Sequence, residues 1–191
     1  MARSGDVIEY PFTGERITFL ETAEDTGGEY LRMELRVAGG GFVPGGLHLH
    51  PHQTERFQVL EGTLSLTVGD QESAPGPGQE ATVPAGTLHA WRNPSGVEET
   101  VAIVEFRPAL NAEEVFESAF GLAQDGKVDP ETGVPDQPWL ALFVVHYHDF
   151  AHSAEPPLDV LLELMRPIAE DAERAGYQLP YPYPYAEKAV G

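Results

Sequence analysis

The sequence predicts a mainly β protein: a small antiparallel barrel over residues 1–108 and a helical extension with a Pro/Tyr-rich tail over 109–191. Three observations predict it. Residues Glu29 to Val37 alternate, with Leu31, Met33, Leu35 and Val37 on one face and Tyr30, Arg32, Glu34 and Arg36 on the other, and a period of two marks a half-buried strand. Glycine (20) and proline (17) are both abundant, which favours short strands joined by turns over a helical bundle. After Pro108 the apolar period changes from that of a strand to that of a helix.

Taken in order, further strands are expected at Arg16–Glu21, Glu55–Leu60, Thr63–Val68, Ala81–Pro84, Thr87–Arg92 and Thr100–Phe106. The breaks between them are Gly39-Gly40-Gly41, Glu61-Gly62, Gly69-Asp70, Pro75-Gly76-Pro77-Gly78 and Asn93-Pro94-Ser95-Gly96. Regularly spaced short strands with such turns suit a closed barrel or sandwich. In the extension, Asn111 and Glu114 have the spacing of a capping box, and Leu110 and Val115 that of a hydrophobic staple. Val115, Phe116, Ala119, Phe120 and Ala123 then recur at helical spacing. A second helix is expected over Trp139–Ala151, stopped by Pro156-Pro157. A third is expected over Leu158–Ala175, with Gly176 as its C-terminal stop and Pro167 kinking or dividing it. Its apolar arc, which includes Leu161, Leu164, Met165, Ile168, Ala169 and Ala172, is wide. That width fits packing against the barrel and the second helix, a dimer contact, or a lid. The tail from Leu179 to Tyr185 alternates Pro with Tyr and suits an extended segment laid along a surface.

Composition narrows the function classes. The 191 residues, 41% hydrophobic, are enough for one domain with a sizeable core. With no cysteine, thiolate metal sites, iron–sulfur clusters and cysteine nucleophiles are excluded. The net charge of −20, from 31 acidic and 11 basic residues, would repel a phosphate backbone, so no nucleic-acid partner is expected. The N-terminus lacks the apolar region of a signal peptide. The longest apolar run, Trp139–Val145, falls far below the ~20 residues of a membrane span. The expected protein is therefore soluble and cytoplasmic, with no membrane partner. No phosphate loop, dinucleotide fingerprint or serine elbow is found.

The residues that carry chemistry fall in two stretches. His48 and His50 lie two apart and share a face if extended; Glu55 opens the next strand, with Phe57 and Val59 on its face. His89 follows Pro84-Ala85-Gly86, and Trp91 lies on the same side. Strands converging in a barrel would bring His48, His50, Glu55 and His89 around one point, and three imidazoles with a carboxylate suit one divalent transition metal: Fe, Mn, Ni, Co, Cu or Zn. His50/His52 is a rival register, disfavoured by Pro51, which disturbs the strand just before His52, and by the family resemblance given below, so His52 is expected outside the ligand set. His146, His148 and His152 form a second cluster, with His148 and His152 four apart on the expected helix; rim or surface positions are expected for them. Phe57 and Trp91 are expected to line the substrate pocket.

These two stretches resemble the motifs of the cupin superfamily, specifically its small single-domain conserved-barrel members. His48-x-His50-x4-Glu55-x6-Gly62 matches the first motif from its first histidine onward; the leading glycine is replaced by Phe42. Gly78-x5-Pro84-x-Gly86-x2-His89-x3-Asn93 matches every position of the second. The resemblance covers roughly residues 30 to 107 and not the helical extension. It implies a double-stranded β-helix, or jelly-roll, barrel with one metal held by His48, His50, Glu55 and His89. It also implies one of three functions: a non-haem metal-dependent dioxygenase acting on a small chelating organic substrate, a non-redox isomerase, lyase or cyclase in which the metal is a Lewis acid, or a non-catalytic small-molecule binder. The oxygenase is the leading expectation, with Glu55 as ligand and proton acceptor. A small-molecule substrate and a homodimer complete the expectations.

Overall fold

The computed structural model describes residues 1–185; the part of the tail over 186–191 lies outside the described residues. Among the described residues nine strands form two antiparallel sheets. β1 (Val7–Tyr10), β2 (Glu15–Glu21), β3 (Leu31–Val37), β4 (Thr54–Glu61), β7 (Glu80–Val83) and β9 (Thr100–Arg107) make a six-stranded sheet in the order β1-β2-β3-β9-β4-β7. β5 (Ser65–Val68), β6 (Gln71–Ser73) and β8 (His89–Arg92) make a three-stranded sheet in the order β6-β5-β8. Residues 42–49 border β8 as a broken strand, through isolated bridges from Phe42 to Arg92 and from His48 to His89.

Alternation sets the inner face. Leu31, Met33, Leu35 and Val37 are all buried, as their period of two requires, and they oppose Phe106, Val104, Ala102 and Thr100 on β9. On β4 the inward positions are Glu55, Phe57 and Val59. Charged residues on the outer face of the large sheet pair across strands: Arg32 with Glu21 and Glu105, Arg56 with Glu80.

The motif positions that bind nothing have visible structural reasons. Gly62 has φ 72°, and a Cβ there would stand 2.7 Å from the Glu99 carbonyl oxygen, so the turn after β4 closes against the start of β9 only without a side chain. Asn93 is buried; its amide nitrogen donates to the carbonyls of Val37, Ala38 and Glu98, and its oxygen accepts from the Ser95 amide. One side chain thus satisfies the backbone of two loops.

Four helices follow among the described residues: α1 (Ala23–Thr26), α2 (Ala112–Gln124), α3 (Trp139–Tyr147) and α4 (Leu158–Arg174). Several details depart from the sequence reading. The capping box is at α1, where Thr22 and Asp25 bond reciprocally. At α2, Asn111 makes no side-chain cap bond, and Glu114 instead accepts from the Tyr147 hydroxyl. The staple is absent, because Leu110 is exposed in the left-handed region at φ 49°. α3 ends at Tyr147, four residues earlier than expected. α4 runs unbroken through Pro167, an exposed position. Only part of its wide arc is inward: Leu161, Ala169 and Ala172 are buried, whereas Val160, Leu164 and Ile168 are exposed.

The extension is tied to the barrel by specific bonds. The Gln53 amide donates to the carbonyls of Pro108 and Ala109, and Glu113 accepts from the Ala23 amide. The tail runs extended over the molecule, with Tyr183 accepting from the Glu9 amide and Tyr185 donating to Glu117. Among the described residues no helix is long and apolar enough to cross a membrane.

Candidate metal centre

The first motif lies where the chain passes from the small sheet to the large one. His48 and His89 exchange backbone hydrogen bonds, 3.0 Å from the His48 amide and 2.8 Å from the His89 amide. This bridge sets the two imidazoles side by side, with ring centroids 4.3 Å apart. The His50 carbonyl accepts from the Gly86 amide at 2.8 Å, which ties the first motif to the turn of the second. The ligand atoms of His48, His50 and His89 all lie within 4.8 Å of one another.

Each ring is oriented by a backbone carbonyl. Nδ1 of His48 faces the Gly46 oxygen at 2.8 Å, Nδ1 of His50 faces the Phe150 oxygen at 2.7 Å, and Nδ1 of His89 faces the Thr87 oxygen at 3.0 Å. A carbonyl can only accept, so each Nδ1 carries its proton and donates. In the neutral ring Nε2 is then left with a free lone pair. Anchoring of this kind is how metal-ligating histidines have their tautomer and direction fixed.

Glu55 completes the cluster from β4. Its Oε2 lies 2.8 Å from Nε2 of His89 and 3.7 Å from Nε2 of His50. With the His89 proton on Nδ1, two lone-pair atoms face each other there, and both Oε2 and the His89 Nε2 are buried without a partner. Two unsatisfied atoms facing each other in the interior are costly. A divalent cation would satisfy both, and with four harder nitrogen and oxygen donors the residues fit a first-row divalent ion.

Electrostatics point the same way. Burial, with the neighbouring His89, holds the His48 imidazole down to about 4. Burial, with the neighbouring His48, holds His50 down to about 3. Both rings are therefore neutral donors at physiological pH. Burial pushes Glu55 above the usual carboxylate range despite His89 beside it. For His89, burial acts downward, but the Glu55 carboxylate outweighs it and the imidazole is raised. Both shifts favour the protonated forms of Glu55 and His89, so an incoming cation would compete with protons for these donors.

The centre opens into an apolar cavity of about 420 Å³. His48, His50, Glu55 and Trp91 line it, and His89 stands behind them fully buried. Phe57 is a correction to the expected pocket. It is fully buried and is absent from the cavity wall, although Val104, which opposes it on β9, lines the cavity. The sequence reading missed the aromatic wall around His50, formed by Phe106 at 5.1 Å and Phe150 at 4.8 Å between ring centroids, with Phe116 beyond. Phe106 was findable, since it lies directly opposite Glu55; Phe150 had no local signal.

The other histidines separate. His52 is exposed and faces Asp149 at 3.7 Å, outside the three-imidazole group. His146 pairs with Glu173 at 2.8 Å on the surface. His148 and His152 do not share a helical face, because α3 ends before both. His152 lines the cavity and exchanges backbone bonds with Leu49.

Residues 33–104 match a family described as the cupin domain. The chain is 32% identical over 92 residues to quercetin 2,3-dioxygenase of Bacillus subtilis, an alignment covering 48% of this chain and 27% of that protein. The chain thus spans about a quarter of the length of that curated relative. Similar solved structures include an RmlC-like cupin from Shewanella frigidimarina, 19% identical, covering 59% of this chain and 93% of that one at a TM-score of 0.48. Another is a predicted oxalate decarboxylase from Thermotoga maritima, 17% identical, covering 56% and 98% at a TM-score of 0.47.

Proposed function

This chain belongs to the cupin superfamily through the domain at residues 33–104, and from that premise we propose that it is a non-haem metal-dependent oxygenase acting on a small organic substrate. The observation that carries the reading is the convergence of three carbonyl-anchored imidazoles and the Glu55 carboxylate at the wall of an apolar, aromatic cavity. A structural metal site is usually closed by its ligands; this one faces a cavity large enough for a substrate. The 32% identity to a dioxygenase over 92 residues also supports the choice of chemistry.

His48, His50, Glu55 and His89 would hold the ion, which when bound supplies Lewis-acid and redox chemistry to a chelating enol, catechol or similar group. The chain's own residues do the rest. The carbonyls of Gly46, Phe150 and Thr87 hold the imidazoles in one tautomer. Phe106, Phe116 and Phe150 exclude water from the centre and strengthen each electrostatic interaction there. Glu55, poised above the usual carboxylate range, is placed to take a proton from a substrate hydroxyl. The homodimer is likewise a proposal, decided by sedimentation equilibrium.

The test is metal analysis of the purified protein followed by oxygen uptake. With Fe or Mn loaded, oxygen should be consumed when an enol- or catechol-bearing compound is added, quercetin being the first to try. Replacement by Zn should abolish uptake. Full turnover by the Zn form without oxygen would overturn the oxygenase reading and establish non-redox chemistry in its place.

A further inference from the structure

The cavity has a second polar position that the metal centre does not use. Glu15 opens β2 on its inward face, in phase with Ile17 and Phe19, and lines the same cavity. It is 5% exposed. Its Oε2 accepts from the Thr13 hydroxyl at 2.7 Å, and Oε1 has no hydrogen-bond partner among the described residues. Among the described residues it is, apart from Glu55, the one carboxyl on the cavity wall. Among the described residues no cation pairs with it. The neighbouring Tyr10 hydroxyl is turned away, donating to the Gly133 carbonyl at 2.5 Å.

The sheet register places Glu15 far from the metal. Glu55 and Leu31 both oppose Phe106, at one end of β3. Glu15 opposes Val37, at the other end. Six residues of strand separate the two rows, roughly 20 Å along β3 at ~3.3 Å per residue. The cavity therefore has an acid-and-imidazole end and a remote end with a single carboxyl, joined by an apolar waist that includes Ile17, Met33, Leu35 and Val104.

A carboxyl in an apolar wall with half its hydrogen-bonding capacity unused is costly, and a leucine would pack there at no such cost. Pockets that bind organic ligands are built in this way, from apolar walls with a few placed polar groups. We propose that Glu15 anchors the far end of the ligand: the cavity takes an elongated, largely apolar or aromatic molecule whose remote end carries a hydroxyl that hydrogen-bonds to the Glu15 carboxyl. This rests on the reading that the opposite end of the same molecule is presented to the metal. Burial pushes the Glu15 carboxyl up to about 8, the Thr13 bond only partly opposing it, so at neutral pH it is largely protonated and both donates and accepts. That favours a neutral hydroxyl over a carboxylate or phosphate.

The probes are 4-phenylphenol and biphenyl, which differ by one terminal hydroxyl, with binding to the full-length protein followed by calorimetry. Wild type should prefer the phenol by roughly three- to tenfold, the worth of one net hydrogen bond. Glu15→Gln, which still donates and accepts, should keep most of that preference. Glu15→Leu and Glu15→Met should lose or invert it while still binding biphenyl. Metal content should be the same in all four proteins. A preference that survives in both apolar variants, or a wild type that binds neither probe, overturns the inference. Failure of the oxygenase reading would appear separately, as absent metal or absent oxygen uptake with the Glu15-dependent preference intact.

Discussion

At Glu55 and His89 two buried atoms that would otherwise be orphaned lie 2.8 Å apart, and the cost of that contact bears on what each substitution does. His89→Ala removes a ligand and should reduce bound metal below roughly a tenth of the wild-type stoichiometry, checked by elemental analysis after dialysis; unchanged stoichiometry would show that the ligand set is wrong. Glu15 makes a different prediction, on stability. Its folded value of about 8 lies above the ~4.3 of an unfolded glutamate. Below about pH 4.3 both states hold the proton and the contribution to stability is fully present. As pH rises toward 8 the unfolded chain releases the proton while the folded one keeps it, so stability falls across that window. The full span is on the order of 5 kcal/mol. Wild type should therefore lose thermal stability relative to Glu15→Gln between pH 4.5 and 8, measured as the difference between their melting temperatures at each pH. A constant difference would mean that Glu15 ionises normally.

At the scale of elements, the strands were legible because one face is buried and the other wet, so Leu31, Met33, Leu35 and Val37 alternate with charged residues in the sequence itself. The candidate cluster was legible for a related reason: two-residue spacing on extended chain puts His48 and His50 on one side. Elements without a one-sided environment were not. β6 is exposed throughout and has no period to read, and β1, though Ile8 and Tyr10 alternate inward, is only four residues long. Asn111 and Glu114 carry the letters of a capping box, but Leu110 in the left-handed region changes the entry to α2 and Glu114 bonds Tyr147 instead. Phe57 was misread because alternation places a residue inside a barrel without saying whether it reaches the cavity. The motif asparagine shows what pattern alone conceals. Asn93 makes four bonds to loop backbone and touches no ligand. Asn93→Ala should cost about 2–4 kcal/mol, read from urea unfolding, with metal stoichiometry retained in the folded fraction. A loss of metal without a loss of stability would instead assign it to the centre.

On the scale of the whole molecule, the extension is part of the site. Val115, Phe116, Phe120, Leu140, Phe143 and Leu161 line the cavity, which makes the helices a wall, one of the roles the wide apolar arc of α4 allowed. The link to the candidate metal centre is more direct than packing. After α3 the chain drops onto the first motif, where His152 and Leu49 exchange backbone bonds of 3.1 and 3.0 Å. That bridge holds residue 150 in place, so that its carbonyl receives Nδ1 of His50. A ligand from the barrel thus has its tautomer set by the extension, a hundred residues away in sequence. Outer contacts of this type are worth roughly 10- to 100-fold in metal affinity. His152→Pro removes the amide that donates to Leu49 and leaves all four ligand side chains in place. Its expected effect is a roughly tenfold weaker metal affinity by competition with a chelator, with far-ultraviolet circular dichroism unchanged. Leu49→Pro, which removes the reciprocal amide, should do the same. If both variants keep wild-type affinity, the extension closes the cavity but does not orient His50.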